Sequence, residues 1–124
     1  MNELAGKISD SELEVMRVLW EAGDALPVTE IRRRLQPLHG WEGTTIKTMI
    51  TRLTAKGALL QEKREVFYYS AAITEEQYSR YATDSLIRRL YQGSAGKLVA
   101  ALVKERGLSE DDLAELRALF KVEE

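Results

Sequence analysis

Four threonines fall within eight residues, Thr44, Thr45, Thr48 and Thr51, and Lys47 and Arg52 lie among and beside them. A threonine offers a hydroxyl that both donates and accepts, and a methyl that packs; lysine and arginine add permanent positive charge. On one side of a helix this combination suits the major groove of duplex DNA. There, base edges present donors, acceptors and the thymine methyl, and a cation can reach guanine or a phosphate. The helix that would carry these side chains runs from Thr44 to Lys56 and stops at Gly57. Its apolar residues, Ile46, Met49, Ile50 and Leu53, recur at i, i+3, i+4 and i+7. At about 100° per residue they share one face, and Thr44, Thr48, Thr51 and Ala55 share the opposite one, with Lys47 and Arg52 flanking it. Threonine is a mediocre helix former, so a face serving stability alone would carry Glu, Lys or Ala. No carboxylate occurs between Gly43 and Gly57. Lys56 at the helix end, and Lys63 and Arg64 further on, complete the set of candidate DNA-facing residues.

Other elements must hold that helix. Ser9-Asp10-Ser11-Glu12 reads as a capping box with Ile8 and Leu13 as its apolar staple, and opens a helix over Asp10–Ala22. Leu13, Met16 and Trp20, with Val15 and Leu19 beside them, form its buried stripe, and Gly23 stops it. Pro27 sits where a second helix begins; Val28, Ile31 and Leu35 supply its apolar spacing, and Pro37 is expected to end it. A loop over 38–43 then leads into the threonine-rich helix. After Gly57 the texture changes to two short strands, Ala58–Gln61 and Val66–Ser70, around a polar tip at 62–65 that holds Lys63 and Arg64. Helix, helix, helix, hairpin is the order of a winged helix-turn-helix, with the tip placed to meet the DNA backbone or minor groove.

From Ile73 onward the chain reads as helical. Thr74-Glu75-Glu76-Gln77 and Ser109-Glu110-Asp111-Asp112 repeat the capping logic. Tyr78, Tyr81, Leu86 and Leu90 follow a three-and-four spacing, Gly93 breaks it, and Leu98, Val99, Leu102 and Val103 resume it before Leu113, Leu116 and Phe120. These short amphipathic helices are too few to bury a core alone. A second copy of the same segment is the economical covering, so Tyr78, Tyr81, Leu86, Leu90, Leu98, Val99, Leu102, Leu113, Leu116 and Phe120 are the candidate dimerisation residues. The fold class expected is mainly α with a small β-hairpin wing: a winged helix-turn-helix domain over 1–72 followed by a helical dimerisation domain over 73–124.

Composition sets the bounds. The chain has 124 residues, 44% hydrophobic and 31% charged, with a formal net charge of −2. The charge is uneven: −4 over residues 1–26, +4 over 27–70 and −2 over 71–124. A mildly acidic chain with one basic segment is compatible with nucleic acid. Without cysteine there is neither a disulfide framework nor a thiolate metal site, which fits a cytoplasmic protein. No apolar run approaches the length of a membrane span, and the start lacks a signal-peptide pattern. With His39 as the one histidine and no cysteine, no structural zinc site is expected; Glu110-Asp111-Asp112 reads as acids favouring a helix N-terminus, and Trp20 and Trp41 read as packing residues. Arg32-Arg33-Arg34 reads equally as a solvated face or as phosphate contacts. No nucleophile–base pair or phosphate-binding glycine loop is visible, so neither catalysis nor a cofactor is expected.

The stretch Ile8–Trp20 resembles the opening of the penicillinase-repressor family, which includes the β-lactamase and methicillin-resistance repressors and the copper-responsive repressors. Gly40–Gly57 resembles its recognition helix, Phe67–Ser70 its second wing strand and Leu108–Arg117 its C-terminal helix. The resemblance implies a homodimer that binds a palindromic operator and blocks transcription, with Thr44, Thr45, Lys47, Thr48, Thr51 and Arg52 facing the DNA. It also implies intertwined C-terminal helices. Antibiotic-responsive members are inactivated by cleavage at an Asn–Phe bond, which makes a regulatory protease a partner to consider. The matching bond here is Ala101–Leu102, without the asparagine. Copper-responsive members use C-terminal cysteines, and this chain has none. Two other readings fit the same elements: a winged-helix protein-interaction module, and a regulator sensing a small molecule among Tyr78, Tyr81 and Tyr91.

Overall fold

The computed structural model describes residues 8–123, with side chains to residue 120; the first seven residues of the expected N-terminal domain and the last residue of the C-terminal one lie outside the described residues. Helix α1 (Asp10–Ala22) starts at the expected capping box: the Glu12 amide donates to Ser9 Oγ at 3.2 Å and the Ser9 amide to Glu12 Oε1 at 3.0 Å. A two-residue strand β1 (Leu26–Pro27) leads into α2 (Val28–His39), then α3 (Gly43–Ala55), β2 (Leu59–Lys63) and β3 (Phe67–Ala71). The remaining elements are α4 (Glu75–Tyr91), α5 (Ala95–Ala101), a π-helical turn (Leu102–Arg106) and α6 (Glu110–Glu123).

Three features differ from the sequence expectation. Pro37 does not end α2 but lies inside it; the helix runs on to His39 and stops at Gly40, whose φ of 67° is left-handed and whose amide donates to Gln36 O at 2.8 Å. A proline in the last turn costs one backbone bond and leaves the preceding turns intact. The hairpin sits one to two residues later than expected, so Lys63 ends β2 and only 64–66 form the tip. The wing also has a third strand: β1 pairs antiparallel with β3, Leu26 opposite Tyr69 and Pro27 opposite Tyr68, giving the order β1-β3-β2. Pro27 is tolerated because β1 is an edge strand.

The architecture is a winged helix. The core gathers Val15, Met16 and Leu19 from α1, Ile31 and Leu35 from α2, and Ile46, Met49, Ile50 and Leu53 from α3, closed by Leu59, Tyr69 and Ile73. Val18 joins this core, while Leu13 and Trp20 pack on it half-buried. Each fully buried aliphatic side chain contributes about 1.5–3 kcal/mol by leaving water, so the four apolar residues of α3 fix which way that helix faces.

The chain divides into two compact units between Ser85 and Leu86, inside α4. All the buried hydrophobic residues belong to the first unit. In the second, Leu90, Val99, Leu102, Val103, Leu119 and Phe120 are exposed, and the described residues contain no fully buried one. The two further helix starts are capped as expected: the Gln77 amide donates to Thr74 Oγ1 at 3.0 Å, and the Asp112 amide to Ser109 Oγ at 3.0 Å.

Candidate nucleic-acid interface

Helix α3 places its polar side chains by turning its apolar face inward. Ile46, Ile50 and Leu53 are sealed from solvent, so Thr44, Lys47, Thr48, Thr51 and Arg52 are left outside, lining a shallow depression of about 470 Å³. Thr45 is exposed on the same helix. Thr48 Oγ1 donates to Thr44 O at 2.9 Å and Thr51 Oγ1 to Lys47 O at 3.0 Å. With their protons used in this way, the two hydroxyls keep acceptor lone pairs, and each threonine keeps its methyl for an outside contact. Such a surface complements thymine methyls and the amino groups of adenine and cytosine. Among the described residues neither Lys47 nor Arg52 has a carboxylate partner, so both cations are available to a ligand.

Lys56 is placed differently. At about 100° per residue it lies about 120° round the helix from Thr44, toward the apolar face, and its ammonium rests on Glu12 Oε1 at 2.5 Å. Glu12 is only 4% exposed. Burial pushes its carboxyl pKa up, but the hydrogen bond from Lys56, those from Ser9 and the lysine charge outweigh that and hold it below the ordinary value. This pair ties the end of α3 to the start of α1. In the sequence Glu12 is legible as half of a capping box, and the helical position of Lys56 is the sign that its side chain turns toward the apolar face.

At the wing, Lys63 Nζ lies 5.2 Å from the centroid of the Phe67 ring, its partner across the strand pair. The Arg64 guanidinium lies 4.3 Å from the Tyr68 ring and donates from Nε to Glu62 at 2.6 Å. Strand β3 thus sets an aromatic face against both cations. Within the arginine run of α2, Arg33 is taken up by Glu30, donating from Nε at 2.6 Å and from Nη2 at 2.7 Å.

Trp20, Trp41 and Tyr78 pack against the core. Trp20 Nε1 donates to Ile73 O at 2.9 Å, and its ring centroid lies 5.9 Å from that of Tyr78. Tyr78, a candidate dimerisation residue, therefore already packs within its own chain. Trp41 stacks on His39 at 4.1 Å and 11°, and His39 Nε2 lies 3.3 Å from Glu14. Tyr81, Leu86, Leu98, Leu113 and Leu116 are half-buried. Leu90, Val99, Leu102 and Phe120 are exposed. Ala101 ends α5 and Leu102 opens the π-helical turn, so the bond between them joins two helical geometries. Among the described residues no group of three His, Asp or Glu side chains is arranged to hold a metal ion, and no helix is long and apolar enough to cross a membrane.

Known proteins are similar to this chain in sequence and fold. The profile of the family described as Penicillinase repressor matches residues 8–122. The penicillinase repressor of Bacillus licheniformis is 35% identical over 116 residues, covering 93% of this chain and 90% of that protein. The methicillin resistance regulatory protein MecI of Staphylococcus aureus (strain N315) is 31% identical over 121 residues, 97% of this chain and 98% of that protein. The solution structure of monomeric Bacillus licheniformis BlaI in complex with the blaP half-operator is similar at a TM-score of 0.51 and 42% identity. That match covers 57% of this chain and 87% of that one.

Proposed function

The chain belongs to the penicillinase repressor family, and we propose on that premise that it is a sequence-specific DNA-binding transcriptional repressor, acting as a homodimer on a palindromic operator and reading the major groove with α3. The observation that carries the reading is the outer face of α3: Thr44, Lys47, Thr48, Thr51 and Arg52 line one exposed surface, without a carboxylate among them and with both cations unpaired among the described residues. Its relatives point the same way, since one is a penicillinase repressor and the similar solved structure is bound to a half-operator. Lys63 and Arg64, set against aromatic rings of β3, are assigned to the DNA backbone beside the groove. Lys56 contributes indirectly, by anchoring the end of α3 to α1. Such a protein works by occupying DNA, so it is assigned no catalytic activity and no cofactor, and its place is the cytoplasm with the DNA.

Residues 1–72 form the DNA-binding part in this reading and 73–124 the dimerisation part, with the first turn of α4 serving the former through Trp20 and Tyr78. The exposed apolar side chains of the second unit support self-association, because apolar surface left in water gains free energy when a second copy covers it. Two subunits related by a twofold axis present two copies of α3, which requires two half-sites in the operator.

Selection from a library of random duplexes at near-physiological salt, followed by sequencing, tests the proposal. Enrichment of a palindrome is expected. A folded, dimeric protein that enriches no sequence would overturn the repressor reading.

A further inference from the structure

We infer that Arg32, on α2, is a DNA-backbone contact of this chain: its guanidinium is seated against Gly43 at the start of α3 and shares with Lys47 a notch that receives one phosphate. The inference rests on the DNA-binding reading above and extends the interface to a second helix. A Cβ built on Gly43 would lie 2.6 Å from Arg32 Cζ and 2.8 Å from both Nε and Nη2. In this seat the guanidinium occupies the space that a side chain at position 43 would take, so a larger residue there must move it. The glycine has no other evident use, since its φ is not positive, unlike Gly23, Gly40, Gly57, Gly93 and Gly107, and glycine weakens a helix relative to alanine.

The surroundings favour an anion as the occupant. The notch, about 350 Å³, is lined by Val28, Arg32, Glu42, Gly43, Thr44 and Lys47. Thr44 and Lys47 also line the depression along the outer face of α3, so a duplex seated on that face passes over the notch. The neighbouring arginine marks the contrast: Arg33 is held bidentately by Glu30, whereas Arg32 has no hydrogen-bonding or ion-pair partner among the described residues. A planar guanidinium with free donors matches phosphate oxygens in geometry. Glu42 works against it. Its side chain does not cap α3, and its charge on the notch rim repels a phosphate, so Glu42→Gln is expected to tighten binding.

A phosphate contact contributes equally on every sequence, so the probe is a random-sequence duplex titrated with the full chain at several salt concentrations. Arg32→Gln is expected to weaken binding about tenfold and to lower the slope of log K against log salt by about 0.9 per bound subunit. Gly43→Ala keeps every charge but displaces the guanidinium; it is expected to weaken binding similarly with thermal stability unchanged or raised. Arg33→Gln removes the same net charge and is expected to change neither affinity nor slope. Wild-type affinity for Arg32→Gln, with Lys47→Gln still weakened, would overturn the inference and leave Arg32 as a cover over Gly43; an equal loss from Arg33→Gln would do the same. If Lys47→Gln also binds as the parent does, the DNA-binding reading falls, and the Arg32 assignment with it.

Discussion

The ammonium of Lys56, just past the last turn of α3, lies on the Glu12 carboxylate that closes the capping box of α1. One buried acid thereby satisfies an orphan amide of one helix and fixes the end of another. Its carboxyl pKa lies below the ordinary glutamate value of 4.5 because the Lys56 and Ser9 hydrogen bonds outweigh burial. A pKa lower in the folded chain than in the unfolded one gives stability that is fully present above the unfolded value and is lost as pH falls through the folded value. Acid should therefore loosen the hold on α3 below pH 4.5. Glu12→Gln should cost about 1–3 kcal/mol at neutral pH and flatten the acid branch of a stability profile. Urea melts of parent and variant from neutral to acid pH check this; parallel profiles would remove Glu12 from the account.

Thr48→Ala and Arg52→Ala test the outer face of α3. Each removes an exposed side chain that no core residue needs, so stability should stay within about 0.5 kcal/mol of the parent. Alanine is also the better helix former. Loss of a base contact should cost about 1–3 kcal/mol of specific binding, which is roughly fivefold to 150-fold. Gel retardation on the selected duplex, beside a thermal melt, separates the two quantities. Unaltered affinity in both variants would move recognition off this helix.

How far the sequence alone revealed this molecule depended on the range of the interaction. The capping boxes at Ser9, Thr74 and Ser109 each lie within four residues, and all three close as read. The Ile46, Met49, Ile50 and Leu53 stripe is a single-helix pattern, and it turned the threonines outward as expected. What escaped was tertiary or too short to be periodic. Strand β1 has two residues and exists only by pairing with β3. The seating of Arg32 over Gly43 joins two helices across a loop, and the three arginines look alike until Glu30 is seen to take Arg33. Pro37 signals a helix end in the sequence, yet α2 continues past it, because a proline in the last turn removes one backbone bond and leaves the preceding turns intact.

Trp20 links α1 to the start of α4 through one hydrogen bond, Nε1 to Ile73 O at 2.9 Å. Trp20→Phe keeps an aromatic ring near Tyr78 but withdraws the donor, leaving a carbonyl beside the core without its partner. The expected cost is about 1–2 kcal/mol, with the loosening concentrated at the Thr74 cap rather than in the α3 core. Amide hydrogen exchange reads both: the Gln77 and Tyr78 amides should exchange faster in the variant, while those of Ile50 and Leu53 change only as much as global stability does. Uniform acceleration would mean that Trp20 serves the core generally and not this junction.

Phe120 stands 68% exposed on α6, and Leu119 beside it 60%. Covering a phenylalanine is worth about 1.5–3 kcal/mol, and a twofold interface counts it twice. Phe120→Asp should therefore raise the dimer dissociation constant by roughly a hundredfold or more. The first unit, whose core of Met16, Ile31, Ile46 and Leu53 does not involve α6, should keep its fold. A protein held as a monomer offers one copy of α3 at a time, so affinity for a two-half-site duplex should fall toward that for a single half-site. Analytical ultracentrifugation with circular dichroism gives the first two quantities, and titration of whole and half operators gives the third. An unchanged monomer–dimer equilibrium in Phe120→Asp would place the dimer contact elsewhere. A monomer that still binds the full site with parental affinity would detach DNA recognition from dimerisation altogether.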